Sequence, residues 1–236
     1  MGSHLSKQLE RRKAISTEKK ALTDLEISCG CEFPGCDYMP SDRKNWMSGV
    51  GPEKLHINKI VWPGTHDSAT NKIGIRFVSR PFAQCQSLSI YNQLVAGTRV
   101  LDIRVQEDRR VCHGILKTYS VDLVLADLKR FLSETESEIV ILEIRTEFGH
   151  EDPPEFDKYL VEQLGDHLIH QDDHVFHKTV AELLPKRVIC VWKPRKSPQP
   201  KHGCADKLQI FSTDFIDKEF VDACVGLTFA RAEGKA

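Results

Sequence analysis

The sequence contains no run of about 18 apolar residues of the kind that crosses a bilayer as a helix. Its first residues also lack the apolar core of a secretory signal. These two absences predict a protein that is made and kept in the cytoplasm. Its 8 cysteines are then expected to stay reduced, because the cytoplasm keeps thiols from forming disulfides.

An excess of positive charge is also missing. The chain has 33 lysines and arginines against 34 aspartates and glutamates, a formal net charge of -1 at pH 7. Without a global positive field we expect no nucleic-acid partner, and any affinity for anions must be local. With 40% hydrophobic residues among 236, the chain is long and apolar enough to bury a core, which excludes disorder of the whole chain.

Positive charge is concentrated near the N-terminus. The chain begins MGSHLS, which matches the pattern for N-myristoylation of Gly2, with Ser6 at the position that the motif requires. The basic residues that follow are Lys7, Arg11, Arg12, Lys13, Lys19 and Lys20. One acyl chain binds membranes only marginally and a basic patch is the usual second signal, so this segment predicts peripheral attachment to a membrane. The alternatives are a solvated basic helix or a remnant of an expression sequence.

Three cysteines, Cys29, Cys31 and Cys36, lie in a stretch rich in Gly and Pro, residues 28–56, that we interpret as loop. They are close enough to share a zinc ion with a fourth ligand from elsewhere, although their spacing fits no common zinc signature. A zinc-binding interaction module therefore remains an alternative to a loop of reduced thiols. The other cysteines are scattered, and we expect them to pack as small apolar side chains: Cys85, Cys112, Cys190, Cys204 and Cys224.

From residue 56 onward, short β-rich runs alternate with helices, so we divide the chain into an N-terminal segment, 1–55, and a folded domain, 56–236. Strands are predicted over 57–62, where Pro63-Gly64 ends the first strand, and over 98–105, 110–113, 139–144, 188–192 and 208–213. Helices are predicted after the cap Ser120, from Pro153-Pro154 and over 217–227. Apolar strands separated by amphipathic helices indicate a parallel sheet covered on both faces, hence an α/β fold.

Polar residues cluster at the ends of these predicted strands. They are His66, Asp67, Asp102, Arg104, His113, Arg145, Glu147, Lys193 and Asp214. In a (β/α)8 barrel the carboxyl ends of the strands meet at one mouth, where the active site lies. Two histidines, an arginine and carboxylates in one mouth suit chemistry on a phosphate ester. One imidazole removes a proton, the other protonates the leaving group, and the guanidinium pairs the phosphate oxygens.

Four motifs occur in an order that resembles the X domain of phosphatidylinositol-specific phospholipase C. They are PGTHDSAT at 63–70, LDIRV at 101–105, VCHG at 111–114 and STDF at 212–215. The sequence is most similar to the small X-domain proteins of plants and animals and to the secreted bacterial enzymes, over roughly residues 56–227. The resemblance implies a PLC-like phosphodiesterase with a distorted TIM barrel. It also implies cleavage of inositol phospholipids to diacylglycerol and a cyclic inositol phosphate.

The resemblance also implies roles for individual residues. His66 in GTHDS resembles the general base that deprotonates the inositol 2-hydroxyl, and Asp214 in STDF resembles its orienting carboxylate. His113 in VCHG resembles the general acid that protonates the leaving oxygen, with help from Asp67.

Arg104 in LDIRV resembles the phosphate clamp, and Asp102 would hold that arginine or a histidine in place. Arg145 and Lys193 lie where bacterial relatives use basic side chains near the inositol ring, and rim charges are the alternative.

The same motifs predict catalysis without a cofactor. The calcium-dependent branch of the family has Asn after the first catalytic histidine and an acidic ligand where this chain has Arg104. Here Asp67 and a fixed positive charge occupy those places, and a guanidinium repels a dication while supplying part of its electrostatic effect. We therefore expect a calcium-independent site with no metal.

The domain is short for its family. A (β/α)8 barrel takes about 250 residues and eight strands, whereas six strands are predicted here. The shortfall lies near Gly203-Cys204, so we expect a barrel shortened by about two strands. One alternative is therefore a catalytically weakened protein that binds membranes or phosphoinositides. Another is a glycerophosphodiester phosphodiesterase, but that family needs an acidic metal-binding set that we do not find.

Overall fold

The computed structural model of the chain describes residues 33–170, 174–195 and 208–236. The predictions for Gly2, for the basic residues after it, for Cys29, Cys31 and for the Gly203-Cys204 junction lie outside these residues. The strands are β1 (Val61–Thr65), β2 (Val100–Val105), β3 (Arg110–His113), β4 (Leu116–Ser120), β5 (Val140–Thr146), β6 (Val188–Lys193) and β7 (Gln209–Thr213). The helices are α1 (Trp46–Val50), α2 (Arg80–Ala83), α3 (Ile90–Val95), α4 (Val121–Ser133), α5 (Phe156–Leu164), α6 (Val180–Leu183) and α7 (Lys218–Ala232). No helix within the described ranges is both long and apolar enough to cross a membrane.

The strands of the described residues form one sheet that does not close. Five of them are parallel in the order β6-β5-β2-β1-β7, and β3 and β4 form an antiparallel hairpin beside β2. In the described part of the chain, β5 is the only strand that pairs with β6, whose first residue Val188 also forms an isolated bridge with Leu168, and β7 pairs only with β1. Over the described residues, the order is that of an α/β barrel that is open between β6 and β7, as the prediction of a shortened barrel requires.

The first strand differs from the prediction. Residues 57–59 form a 3-10 turn, and β1 runs through Pro63 and Gly64 instead of ending before them. Pro63 is tolerated because its carbonyl accepts from the N–H of Arg99 at 2.8 Å, so its nitrogen faces β2 rather than β7, and the ladder with β2 begins only at Gly64. Gly64 is required by close approach, since a Cβ there would lie 2.5 Å from Oγ of Ser212 on β7.

Other elements also differ from the predictions. Residues 28–56 are not all loop, because they contain α1, and the hairpin strand β4 was not predicted. Helix α5 begins at Phe156 rather than at Pro153-Pro154. The reason is that Glu155 has a left-handed conformation, with φ 51°, and so cannot belong to the helix. Helix α7 continues to Ala232. The cap at Ser120 is confirmed, since its side chain accepts a hydrogen bond from the backbone N–H of Asp122.

Two hydrophobic clusters hold the sheet. The first packs the outward side chains of β2 and β5 against α3, α4 and α5, and includes Leu101, Ile103, Leu142, Leu128 and Phe131. The second packs α1 and α7 against the sheet and includes Trp46, Met47, Trp62, Val221 and Val225. Because side chains alternate along a strand, the residues between these apolar positions of β2 and β5 face the inside of the sheet.

A charged pair is buried within this packing. The side chains of Arg99 and Glu138 are 0% exposed, and Nη2 of Arg99 lies 2.5 Å from Oε2 of Glu138. The guanidinium also donates to the backbone carbonyls of Lys44, Leu94 and Thr98, which ties the segment before α1 to the start of β2.

Candidate active site

The inner face of the sheet carries a row of charged side chains. In the parallel register, Asp102 of β2 lies opposite Glu143 of β5, and Arg104 lies opposite Arg145. The alternation in LDIRV and in VILEIRT places all four on the same face, with the apolar residues turned to the helices. The strands alone therefore provide a polar lining, to which the loops add further side chains.

The segment after β1 brings His66 and Asp67 to this lining. The backbone N–H of Ser68 donates to the carbonyl of Asp102 at 2.8 Å, and the N–H of His66 donates to the carbonyl of Thr213 at 3.1 Å. Asp67 has a left-handed φ of 44°. This conformation is unfavourable for a non-glycine residue and is held here by the surrounding hydrogen bonds.

His66 is held from both sides of its ring. Its Nδ1 lies 2.8 Å from Oδ1 of Asp214, and its Nε2 lies 2.7 Å from Nη2 of Arg104. Because a guanidinium only donates, Nε2 must accept, so the neutral ring carries its proton on Nδ1 and donates it to Asp214. The hydrogen bond to Asp214 raises the pKa of His66 above its ordinary value, with a further contribution from the charge of Asp67. The ring therefore has the tautomer and the basicity that a general base needs.

Asp67 lies between both histidines and the arginine. Its side chain is only 1% exposed, and Oδ1 lies 2.7 Å from Nε of Arg104. Its other oxygen, Oδ2, is 3.4 Å from Nε2 of His66 and 3.6 Å from Nε2 of His113. Burial raises the pKa of this carboxyl, and the positive charge of Arg104 acts in the opposite direction.

His113 reaches the mouth from an unexpected direction. We predicted it at the end of a parallel strand, but β3 is antiparallel to β2, and the hairpin brings the ring over the carboxyl ends of the parallel strands. Its Nδ1 lies 2.8 Å from the carbonyl oxygen of Ala83, which can only accept, so Nδ1 carries a proton. Nε2 is left facing Asp67 and is the atom available to exchange a proton with a ligand.

Arg104 is the centre of the charge network. Besides Asp67 and His66, its guanidinium lies 3.3 Å from Oδ2 of Asp102 and 3.5 Å from Oε2 of Glu147. Asp102 therefore holds the arginine and also accepts from the backbone N–H of Asp67 at 3.3 Å. Carboxylates on several sides fix the plane of the guanidinium while leaving it at the edge of a cavity of about 420 Å³.

Arg145 and Lys193 lie on the wall of that cavity, on neighbouring strands. Both bind Glu143, Arg145 directly and Lys193 through Nζ at 2.8 Å from Oε2. Arg195 lines the same cavity and donates to the backbone carbonyl of His150. The two residues predicted to contact the inositol ring are thus placed beside Arg104, and the structure adds Glu143 as the group that orients them.

Two buried residues in this region were not predicted as part of the site. Gln86, 0% exposed, donates to the backbone carbonyls of His66 and Thr213 and accepts from the N–H of Ile216, so it joins the ends of β1 and β7. Cys85 lies beside it, with Sγ 3.8 Å from Oδ2 of Asp67. No motif marks either residue, because their partners are distant in the sequence.

The described residues include three sets whose side chains are close enough to share a metal ion. They are His66, Cys85 and Asp214; Asp67, Cys85 and His113; and His66, Asp67 and Asp102, with ligand atoms within 4.8 Å of one another in each set.

Comparison with known proteins gives one family match. The family model for the phosphatidylinositol-specific phospholipase C X domain matches residues 62–192. The 1-phosphatidylinositol phosphodiesterase of Listeria monocytogenes is 33% identical over 111 residues, which are 46% of this chain and 35% of that protein. A PI-PLC X-box domain-containing protein of Dictyostelium discoideum is 27% identical over 168 residues, which are 62% of this chain and 22% of that protein.

Solved structures give the same result for the fold. The phosphatidylinositol-specific phospholipase C of L. monocytogenes superposes with a TM-score of 0.56 at 25% identity, covering 65% of this chain and 57% of that one. A structure of the Staphylococcus aureus enzyme superposes with a TM-score of 0.55 at 22% identity, covering 67% and 55%. The chain thus spans about half the length of these solved structures. The predicted α/β fold of distorted barrel type, shortened and here not closed, is confirmed.

Proposed function

Because the chain belongs to the phosphatidylinositol-specific phospholipase C X-domain family, we propose that it is a phosphoric diester hydrolase. In this proposal it cleaves phosphatidylinositol-like lipids to diacylglycerol and a cyclic inositol phosphate by histidine general acid and base catalysis. One observation carries the proposal: Nε2 of His66 and Nε2 of His113 both face Oδ2 of Asp67, whose other oxygen binds Arg104. These groups are the acid, the base and the phosphate clamp that the reaction needs.

In the first half of the reaction, His66 acts as the general base. Its Nε2 lone pair accepts the proton of the inositol 2-hydroxyl while that oxygen attacks phosphorus, and the positive charge formed on the ring is stabilised by Asp214. Arg104, which donates to the same nitrogen before substrate binds, turns its N–H groups to the phosphate oxygens.

In the second half, protonated His113 gives its Nε2 proton to the glycerol oxygen as the bond to phosphorus breaks. Asp67 stabilises the protonated ring from 3.6 Å. Arg104 stabilises the negative charge that grows on the phosphate oxygens. Arg145 and Lys193, oriented by Glu143, contact the hydroxyl groups of the inositol ring.

The proposed mechanism needs no calcium, because Arg104 supplies the positive charge beside the phosphate. Incubation with phosphatidylinositol vesicles in excess chelator is therefore the direct test. We expect release of cyclic inositol phosphate at the same rate with and without chelator. Loss of product in chelator that returns on addition of calcium would refute the metal-independent mechanism.

Exposed apolar side chains surround the proposed mouth and support a lipid substrate. Ile75, Phe77 and Val78 follow β1, and Ile115 lies at the turn of the β3–β4 hairpin; each is more than half exposed. Phe148 follows β5 on the same side of the sheet. Apolar residues gathered on one side of a protein mark a surface that docks on a membrane or a partner. We propose that this rim enters the lipid interface, in addition to the basic N-terminal segment.

We expect Phe77→Ser to weaken binding to phosphatidylinositol vesicles by about 10- to 100-fold. Phe77 is 82% exposed, and burying one such side chain in lipid contributes about 1.5–3 kcal/mol. Vesicle sedimentation measures the effect. Leu123→Ser is the matched control, because Leu123 is exposed on α4, outside the rim. Equal binding by the two variants would exclude Phe77 from the interface.

The pH dependence of cleavage tests the role of His66. The base must be neutral, so kcat/KM should fall as the pH drops through the raised pKa of His66. Asp214→Asn removes the carboxylate that raises this pKa, so the acidic limb of the profile should move to lower pH while the rate at the optimum falls. Asp157→Asn, at an exposed position on α5, should leave the limb in place. An acidic limb that stays unchanged in Asp214→Asn would show that it does not report His66.

A second candidate function follows from the open sheet. In the described chain β5 is the only strand neighbour of β6 and β1 the only strand neighbour of β7, so the end of β6 that carries Lys193 has a strand on one side only. A protein of the same family that binds phosphoinositides and cleaves them slowly or not at all is the alternative. Saturable binding of phosphatidylinositol vesicles without release of cyclic product, in protein whose thermal unfolding is cooperative, would favour it.

A further inference from the structure

We propose that Cys85, Asp67 and His113 form a binding site for a soft divalent cation, Zn²⁺, which inhibits the site when it binds. Cys85 takes no part in the proposed reaction, yet its sulfur lies at the base of the mouth beside the central carboxylate. Thiolate, imidazole and carboxylate are the side chains that zinc prefers in proteins.

The spacing of the three ligand atoms suits zinc. Oδ2 of Asp67 is 3.8 Å from Sγ of Cys85 and 3.6 Å from Nε2 of His113, and all three atoms lie within 4.8 Å of one another. Zn–S bonds of about 2.3 Å and Zn–N or Zn–O bonds of about 2.0–2.2 Å in a tetrahedron separate the ligands by about 3.3–3.6 Å. Small side-chain movements therefore complete three corners of the tetrahedron, and water takes the fourth.

The ligands are already held in place by other contacts. The backbone N–H of Cys85 donates to Oγ1 of Thr70 at 2.9 Å, and its carbonyl accepts from the N–H of Phe215 at 2.8 Å. The Nδ1 proton of His113 is donated to Ala83, which leaves Nε2 free to bind a metal. A metal-binding histidine is commonly oriented by such a hydrogen bond from its second nitrogen.

The guanidinium of Arg104, which repels a dication, binds the other oxygen of Asp67. Arg104 binds Oδ1, whereas the sulfur and the imidazole face Oδ2. Burial and the neighbouring carboxylates Asp67 and Asp214 raise the pKa of the Cys85 thiol, so it carries its proton until a metal displaces it to the solvent. Zinc would occupy Nε2 of His113, the nitrogen of the proposed general acid.

The test separates this site from the N-terminal cysteines. A full-length background protein carries Cys29→Ser, Cys31→Ser and Cys36→Ser, and is titrated with Co²⁺ and with Zn²⁺. We expect one bound equivalent, a thiolate-to-cobalt charge-transfer absorption and an affinity that rises with pH. Adding Cys85→Ser should abolish that absorption and weaken zinc binding by at least about tenfold, whereas Cys224→Ala, a buried thiol on α7, should change neither.

A second variant, at another ligand, keeps the zinc site testable if Cys85→Ser does not fold. His113→Ala removes a side chain that is 25% exposed, and it should also weaken zinc binding by about tenfold or more. The same absorption in the Cys85→Ser protein, or no absorption in the background protein, would overturn the proposal. Zinc binding does not depend on the proposed function, but inhibition of lipid cleavage does. Binding lost in Cys85→Ser in a protein that never cleaves phosphatidylinositol would support the zinc site and refute the enzyme.

Discussion

We expect His66→Ala to lower kcat for phosphatidylinositol cleavage by about 10²–10⁴-fold, the usual contribution of a general base. The ring has a fixed tautomer, with Nδ1–H directed to Asp214 and the Nε2 lone pair directed to the mouth. Alanine removes this proton acceptor while leaving Arg104 and His113 in place. The loss should therefore appear mainly in kcat, with a smaller change in KM.

The measurement is release of cyclic inositol phosphate from vesicles, with the thermal unfolding of each variant recorded beside it. His56→Ala is the matched control, because His56 is an imidazole outside the site whose Nδ1 lies 3.2 Å from the carbonyl oxygen of His177. Added imidazole should restore part of the rate in His66→Ala, since it replaces the missing base. A His66→Ala protein that unfolds like wild type and cleaves at the wild-type rate would remove His66 from the mechanism.

The double variant His66→Ala/His113→Ala gives a further test of the pair. If both rings act on the same transition state, removing the second should cost much less than removing it from the wild-type protein. Independent, multiplying losses would mean that the two histidines serve separate steps or separate sites.

We expect Glu138→Ala to lower the free energy of unfolding by about 3–5 kcal/mol, because it leaves the guanidinium of Arg99 buried without a counter-charge. Both side chains are 0% exposed. Burial lowers the pKa of Arg99 and raises that of Glu138, as expected for charges removed from water. Glu138 also accepts from the backbone N–H groups of Met47 and Ser48, so α1 loses an anchor as well.

Urea unfolding followed by circular dichroism measures this loss. The double variant Arg99→Met/Glu138→Leu should recover much of it, because apolar side chains of similar size replace the charges without leaving one unpaired. Arg130→Ala, which breaks an exposed pair with Glu134 on α4, should change the midpoint little. If Glu138→Ala unfolds at the same urea concentration as the wild-type protein, water must reach the guanidinium of Arg99 once its partner is removed, and the prediction is wrong.

The alternating residues of LDIRV show what the sequence can predict about this fold. Period-two alternation places Asp102 and Arg104 on one face of β2, so this part of the charged lining follows from the pattern, whereas its continuation on β5 depends on the register that the structure shows. The helix after Ser120 is predicted equally well, because its apolar spacing and its cap agree. These features depend on neighbours within a few residues.

Other features depend on contacts between distant parts of the chain. Pro63-Gly64 is a turn signal in isolation, but close packing against Ser212 makes the glycine part of β1. Cys85 lies at the mouth because Thr70 and Phe215 bind its backbone. The residues next to Cys85 in the sequence predict neither contact. The sequence around Arg99 likewise does not predict its ion pair with Glu138, which lies 39 positions away. The direction of β3 also depends on the hairpin, and the sequence of β4, LKTYS, has no apolar run that marks it as a strand.

The unequal pairing of the strands divides the proposed mouth into two parts that are held by different numbers of neighbouring strands. Strand β2, which carries Asp102 and Arg104, has β1 on one side and β5 on the other, so the groups proposed to act on phosphorus are positioned by a backbone braced from both directions. Lys193 is the last residue of β6, where the described chain pairs the strand with β5 only; the bridge from Leu168 is at the other end, at Val188. In the proposed reaction, the groups that act on phosphorus therefore lie on the strand that has neighbours on both sides. Lys193, proposed to contact the inositol ring, lies at a strand end that the described chain pairs on one side.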